Sequence, residues 1–300
     1  MRQQPDTGRG RPAGRRRGGG LRIWVLLAFI AYGAWYWYSN QSVDPVTGES
    51  VLIDRNLSSE DEKALGLQAY QQILQQETWV DPDATISREI RNIAERLVAK
   101  VEVVEAALAA EHDMEPTRFS ADFDWEVNVI DSDEANAFAL PGGKMAVYTG
   151  LVPVARSEDA MAVVMGHEIA HAVLRHGAQR MAQHRLAQIG QAAGAFSGMD
   201  PQQQEMVMAA MGYGYLLPYA RKHETEADEV GLMLAAAACF DPRESVPLWQ
   251  RMGQGGGGQA PPEFASTHPA SDTRIAHLQS LMPKALEYRD RFCEAGPLRN

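Results

Sequence analysis

The chain has 300 residues, of which 45% are hydrophobic and 22% are charged, and it contains only two cysteines. This composition excludes a disulfide-stabilised miniature scaffold, a disordered chain and a multi-span membrane protein, and it is typical of a globular body. Seven arginines and one aspartate give residues 1–22 a formal charge of +6, which leaves −17 on the rest for a total of −11. Because an acidic body repels phosphate backbones, we expect no nucleic-acid partner.

The N-terminal residues have the pattern of a membrane anchor. Residues 1–20 are rich in arginine, glycine and proline, which predicts a disordered cytoplasmic tail, whereas residues 23–38 carry no charge. We predict one transmembrane helix over residues 21–40, with its arginine-rich end in the cytoplasm and the body translocated. The alternative is a cleaved signal peptide with Ala31 and Gly33 before the cleavage site.

The rest of the chain predicts an α+β fold that is mainly α. Residues 41–57 form a polar tether, and a domain over residues 58–300 begins with a helix over 60–77 that Ser59 and Glu62 cap. A single helix follows Pro82, because one apolar stripe continues from Ile86 to Leu108. Alternation from residue 123 to residue 152 predicts a small antiparallel sheet. Ser157 then caps a helix that reaches Leu174 or continues to residue 189.

That helix carries a metal-binding pattern. His167 and His171 are four residues apart, so they lie on one face and can share a metal ion. Glu168 is offset by about 100° around the helix, which places its carboxylate beside the metal, where it can accept a proton from a water molecule. The alternative, two solvated surface histidines, is disfavoured because the neighbouring residues are apolar.

A third ligand is expected further along the chain. His176 does not have the spacing of a metzincin ligand, whereas Glu224 and Asp228 are four apart on one helix face. We predict that Glu224 binds the metal and that Asp228 orients a zinc-bound histidine. Glu226 is expected to point away, and a solvated acidic helix face remains the alternative.

Four motifs together resemble the M48 family of zinc metallopeptidases. They are residues 136–143 (NAFALPGG), the His-Glu-x-x-His helix, the Arg-x-x-Glu-x-x-x-Asp helix, and residues 266–269 (STHP) with Arg274 downstream. The resemblance covers residues 58–283 and implies a zincin-like domain with one Zn²⁺ per chain. It implies His167, His171 and Glu224 as ligands and Glu168 as general base, a gluzincin arrangement. The chain departs from the family at Ala220, where many members have serine.

The resemblance also implies roles at the C-terminal end of the domain. Arg274 is expected to steady the tetrahedral intermediate, and His268 lies at the metal site, where it is a further catalytic group or a ligand that caps the zinc. From the residues alone, Arg274 would be a surface arginine and His268 a turn residue. The glycine-rich loop at 253–263 is predicted to be mobile, either as a gate or as a tolerated insertion.

The implied activity is a membrane-anchored zinc endopeptidase. Extended substrates would pair with the strand edge at Asn136, Ala137 and Phe138, which favours unfolded or flexible envelope proteins as partners. The implied location is a bacterial inner membrane, with a single pass and a periplasmic catalytic domain. A tethered chaperone-like or binding module with an inactive site is the alternative. In an oxidising compartment Cys239 and Cys293 would form a disulfide; a buried thiol and an unpaired one are the other possibility.

Overall fold

The computed structural model describes residues 22–253, 264 and 267–293. The predicted tail at 1–20 and, apart from Gly253, the predicted mobile loop at 253–263 lie outside these residues. The described helices are α1 (Ile23–Ser39), α2 (Ser59–Gln76), α3 (Thr85–Val98), α4 (Val101–Glu111), α5 (Val152–Ala155), α6 (Glu158–Val173), α7 (His176–Ser197), α8 (Pro201–Met211), α9 (Leu217–Ala237), α10 (Ser245–Gly253) and α11 (Asp272–Phe292). The strands are β1 (Gln41–Val43), β2 (Ser50–Leu52), β3 (Glu126–Ile130), β4 (Ala137–Leu140) and β5 (Lys144–Tyr148).

The mainly helical class is confirmed, but the prediction of an antiparallel sheet is wrong. The sheet has the order β3-β5-β4, with β5 parallel to β3 and antiparallel to β4. β4 and β5 are joined by a tight turn in which Gly142 and Gly143 have φ values of 87° and 88°. Because β5 lies between β3 and β4, β4 remains an edge strand. Alternation in the sequence shows the faces of strands but carries no information on their order.

The segment predicted to be a tether is a folded part of the body. β1 and β2 pair as an antiparallel hairpin, and Val51 and Leu52 are buried. The turn is closed by Asp44, whose Oδ1 accepts the N–H groups of Val46 and Thr47. The tether prediction is therefore wrong, since two adjacent apolar residues are enough to pack a short strand.

Two details of the first helices differ from the predictions. The capping box of α2 is formed by Ser58 and Asp61, not by Ser59 and Glu62, because two overlapping Ser-x-x-acid patterns occur one residue apart. Glu62 is buried instead and pairs with Arg175. The predicted single helix after Pro82 is two helices, α3 and α4. The apolar stripe does not reveal the break, since both helices face the same core.

The centre of the fold is the contact between α6 and α9. Ser157 caps α6 as predicted, and residues 160–173 of α6 are all buried. The two helices approach backbone to backbone, because a Cβ atom at Gly166 would lie 2.7 Å from the carbonyl oxygen of Gly231. α6 ends at Val173, and α7 begins as a separate helix after Arg175, which has a φ of 56°. This close approach brings the motifs of both helices to one place.

α1 packs along α7 at the side of the domain. A Cβ atom at Gly33 would contact Ile189 at 3.6 Å and Leu186 at 3.7 Å. α1 has 17 residues, and among the described residues no helix has the length and hydropathy that crossing a membrane requires. The transmembrane anchor therefore stays a prediction.

The predicted disulfide is confirmed. Cys239 and Cys293 are bonded, with their Cα atoms 5.0 Å apart and 54 positions apart in sequence. The bond joins the chain after α9 to the end of α11. It therefore ties together the helices that carry Glu224, Asp228 and Arg274.

Candidate metal centre

Four side chains from three parts of the chain converge on one point. His167 and His171 come from α6, Glu224 comes from α9, and His268 lies just before α11, and one donor atom of each lies within 4.8 Å of the others. The Nε2 atoms of His167 and His171 are 3.1 Å apart, and each lies 3.4 Å from a carboxylate oxygen of Glu224. The Nδ1 atom of His268 lies 3.2 Å from His167 Nε2 and 2.7 Å from Glu224 Oε2.

The distances among His167, His171 and Glu224 are close to those of a tetrahedral zinc ion, whereas His268 lies at hydrogen-bond distance from Glu224. Zinc binds histidine nitrogen and carboxylate oxygen at about 2.0–2.2 Å, which places the ligands of a tetrahedron about 3.3–3.5 Å apart. The donor set, three imidazoles and one carboxylate, is also the chemistry that zinc prefers. The residues present therefore fit the ion that the sequence predicts, with His268 at the fourth position.

Glu168 lies beside this group of ligands and not within it. Its side chain is buried, and its Oε1 atom has no hydrogen-bond partner among the described residues. The Nε2 atom of His268 lies 3.6 Å from that oxygen. Burial raises the pKa of Glu168 above its ordinary value, against the effect of the nearby histidines. A buried carboxylate with a free oxygen is suited to accept a proton.

Asp228 and Arg274 support the ligands from behind. Asp228 Oδ1 lies 3.1 Å from His167 Nδ1, as the sequence predicts for a residue that orients this ring. Arg274 donates to Asp228 at 2.5 Å and to Glu224 at 3.2 Å, and its guanidinium lies 3.3 Å from the ring centre of Trp249. The arginine is therefore buried among the ligands, not on the helix surface.

The close packing of these buried side chains shifts the pKa values of three metal-ligand candidates. Burial alone would raise the pKa of Glu224, but hydrogen bonds from His167, His171 and His268 hold it well below its usual range. Burial lowers the pKa of His167, yet hydrogen bonds to Asp228 and Glu224 outweigh it and raise the pKa to about 9. Burial also lowers the pKa of His171 well below its ordinary value. Since a histidine must be neutral to bind a metal ion, metal binding at this site would release the His167 proton.

A second group of buried polar side chains lies behind His171. His176 Nδ1 is 2.7 Å from His171 Nδ1, and His176 Nε2 is 3.2 Å from Glu226 Oε2. Glu226 lies outside the group of four donor atoms, and it is buried against His176 of α7. If Nε2 of His171 binds a metal ion, its Nδ1–H can donate to His176, which in turn can donate to Glu226.

His223 stacks on this second group. Its ring centre lies 4.2 Å from that of His176, with 16° between the two planes. One ligand atom from each of His176, His223 and Glu226 lies within 4.8 Å of the others, so these buried side chains form a second group of potential metal ligands. The sequence analysis missed this group because His176 follows a break between two helices.

The residues predicted to bind substrate lie on the sheet edge next to α6. Ala137 and Phe138 belong to β4, and Asn136 immediately precedes it. Ala137 pairs with Val147 and is buried, while the Phe138 ring lies 6.4 Å from that of Tyr148. Only one side of β4 is paired within the described sheet, and β4 packs against α6; next to this edge, the N–H group of Phe264 donates to the carbonyl oxygen of Ala135 at 3.0 Å.

Comparisons with known proteins agree with this geometry. The sequence profile of peptidase family M48 matches residues 97–282. The mitochondrial metalloendopeptidase OMA1 of Schizosaccharomyces pombe is 32% identical over 285 residues, covering 92% of this chain and 77% of that protein. The mitochondrial metalloendopeptidase OMA1 of Homo sapiens is 31% identical over 297 residues, covering 94% and 52%.

A bacterial protein is similar over a shorter length. The beta-barrel assembly-enhancing protease of Escherichia coli K12 is 29% identical over 158 residues, which cover 49% of this chain and 32% of that protein. The matched profile spans more than half of the 300 residues and includes both helices of the metal centre. The resemblance seen in the motifs is thus confirmed, and the chain belongs to peptidase family M48.

Proposed function

We propose that this chain is a zinc-dependent endopeptidase in which Glu168 acts as the general base. The observation that carries the proposal is the convergence of four donor atoms, with His167, His171 and Glu224 at spacings that suit a tetrahedral zinc ion and Glu168 beside them. The OMA1 relatives are named metalloendopeptidases, which supports the same reaction class.

Each residue has a defined task in this proposal. Bound zinc supplies a Lewis acid for the scissile carbonyl and the attacking water. Glu168 accepts a proton from the attacking water and returns it to the leaving amine. Asp228 fixes the ring of His167, and Arg274 holds Glu224 and Asp228 in place. We also propose, from the family resemblance, that the positive charge of Arg274 helps to stabilise the developing oxyanion.

The substrate is proposed to be an extended segment of an unfolded or flexible polypeptide. The unpaired side of β4 accepts such a segment as an added strand, and α6 holds Glu168 next to that edge. The side chain of His268 fills the position that an attacking water must occupy. We propose that the resting enzyme is closed in this way and that the histidine moves aside when substrate binds.

The proposed location is the periplasmic side of a bacterial inner membrane. The disulfide indicates an oxidising compartment. The uncharged α1 and the arginine-rich residues before it support attachment to a membrane through residues 21–40, with the N-terminus in the cytoplasm. The Escherichia coli relative, named for β-barrel assembly, supports envelope proteins as substrates.

A pair of variants tests the reaction. Glu168→Gln removes the proton acceptor but no metal ligand, so zinc content should stay near one per chain while casein cleavage falls by about 10²–10⁴-fold. Glu224→Ala removes a ligand and should lower the zinc content itself. Exposed Glu205→Gln is the matched control and should match the wild type in both assays. Casein cleavage by Glu168→Gln near the wild-type rate would disprove the role of Glu168, and absence of cleavage by the zinc-loaded wild type would favour a binding module.

A further inference from the structure

Three helical segments at one side of the molecule form a surface almost without charge. α1 contains no charged residue, and between residues 186 and 220 the only charged side chains are Asp200 and Glu205. This second stretch includes the C-terminal half of α7, all of α8 and the start of α9. An uncharged helical stretch of this length outside the core is unusual for a body with a net charge of −17.

The three segments pack as one unit with a common tip. The N–H group of Arg22 donates to the carbonyl oxygen of Ser197 at 2.6 Å, which places the start of α1 at the end of α7. The rings of Phe29 and Phe196 lie 6.0 Å apart and nearly parallel. α8 returns beside α7, since a Cβ atom at Gly190 would lie 2.8 Å from Met211 Sδ. α7 and α8 thus form a helical hairpin, which we call the α7–α8 hairpin, with α1 along its side.

The outer face of this unit is apolar and exposed. Trp24 is 81% exposed, Phe196 and Met206 are each 64% exposed, and Tyr213 is 76% exposed. α8 contains no buried residue, although its sequence is mostly methionine, alanine, valine and glutamine. The charged side chains of the hairpin are Arg180 and Arg185 near the body, Asp200 at the tip and Glu205 within α8.

Aromatic residues follow on α1 and on the returning chain toward the body end. Gly33 lies level with Leu186 and Ile189, and Gly190 lies level with Met211. The next residues toward the body are Trp35, Trp37 and Tyr38 on α1 and Tyr213, Tyr215 and Tyr219 on the returning chain. Tryptophan and tyrosine concentrate where lipid tails meet the headgroups.

We propose that the α7–α8 hairpin lies in the lipid bilayer beside α1, so that the enzyme is held by a three-helix unit and not by α1 alone. We expect lipid to cover this face because of the charge next to it. Residues 1–22 carry a charge of +6 and end at the tip, and this charge attracts anionic lipid headgroups. The uncharged residues 186–197 of α7 extend about 18 Å along the helix, enough to enter the hydrocarbon layer of about 30 Å without crossing it. This inference builds on the proposed attachment of residues 21–40.

Single-cysteine labelling tests the proposal on the full chain with its native disulfide intact. Met206→Cys on the hairpin, Leu27→Cys on α1 and Glu60→Cys on the exposed start of α2 would each carry an environment-sensitive fluorophore. The proteins are reconstituted in vesicles of phosphatidylcholine and phosphatidylglycerol, with and without a nitroxide on the lipid tails. All three positions are exposed on the protein, so labelling should leave the fold intact.

The expected result is loss of most of the fluorescence at positions 206 and 27 with nitroxide lipid, and none at position 60. Quenching at position 27 alone would overturn the hairpin proposal and leave the anchor in place. Absence of quenching at both positions would overturn both. A blue-shifted label at position 206 without vesicles would show that a second copy of the chain covers this face, which also overturns the proposal. Casein cleavage, measured on the same samples, reports separately on the proposed function.

Discussion

The Nδ1 atom of His171 lies 2.7 Å from the Nδ1 atom of His176, so a hydrogen bond between two buried imidazoles joins α6 to α7. Burial holds the pKa of His176 well below its ordinary value, so the ring is neutral. One ring nitrogen can then accept a hydrogen bond and the other can donate one. The Nε2 atom of His176 in turn lies 3.2 Å from Oε2 of Glu226. A ligand of the metal centre is thereby fixed by a chain that ends in a carboxylate.

We expect His176→Ala to weaken zinc binding by about 10–100-fold, the usual cost of losing a partner of a metal ligand. The measurement is competition with a chromophoric chelator. His176→Gln keeps an acceptor and a donor and should recover part of the affinity, which a loss of packing volume alone would not explain. Equal zinc affinity for the Ala variant and the wild type would refute the role of this hydrogen bond.

We expect His268→Ala to raise the basal cleavage of casein several-fold. The side chain fills the fourth position of the ligand tetrahedron, and its removal frees that position for water. Exposed His184→Ala is the control for loss of a histidine elsewhere and should leave the rate unchanged. A folded, zinc-loaded His268→Ala protein with lower activity would instead make His268 a donor to the transition state.

The disulfide should contribute to stability through the length of the loop it closes. For a separation of 54 positions, chain entropy predicts roughly 4 kcal/mol. The double variant Cys239→Ala with Cys293→Ala should therefore lower the free energy of unfolding in urea by an amount of this order. An unchanged unfolding midpoint would show that packing alone fixes α11 against α9.

A buried carboxyl group far from the metal centre should make stability depend on pH. Burial raises the pKa of Glu105 from 4.5 to about 7, although Ser120 donates a hydrogen bond to it at 2.5 Å. The folded state then holds this proton more tightly than the unfolded state. The contribution of Glu105 to the free energy of unfolding is fully present below pH 4.5. It is lost as the pH rises to about 7, at up to about 1.4 kcal/mol per pH unit.

Glu105→Gln should remove this loss, so that its free energy of unfolding exceeds that of the wild type at pH 8. Glu102→Gln, on the exposed side of the same helix, is the matched control. Parallel curves of stability against pH for the wild type and Glu105→Gln would contradict the prediction.

The metal ligands could be predicted because their geometry is local. The spacing of His167 and His171 on one helix fixes their relative position, and Glu224 with Asp228 repeats the same logic on a second helix. The partners of these ligands could not be predicted in this way. His176 is separated from His171 by a left-handed residue, and Glu226 was assigned to an outer face because a single helix does not show which neighbour covers it.

The same distinction holds for the fold. Helix caps and apolar stripes predicted most helices, since they depend on residues three or four apart. The order of the strands depends on the path between them, and the packing of residues 41–57 depends on a surface that another part of the chain supplies. Both of these predictions were wrong for that reason.

Because β4 is short, a substrate has to expose only a short extended segment in order to pair with it. Four residues at about 3.3 Å each span about 13 Å, and alternate residues on the open side have their N–H and C=O groups available. A polypeptide that pairs there has to release only one short stretch of its own structure. Cleavage would then depend on how easily that stretch frays, and a protein with a stable core but one loose terminus would be cut as readily as a fully unfolded chain.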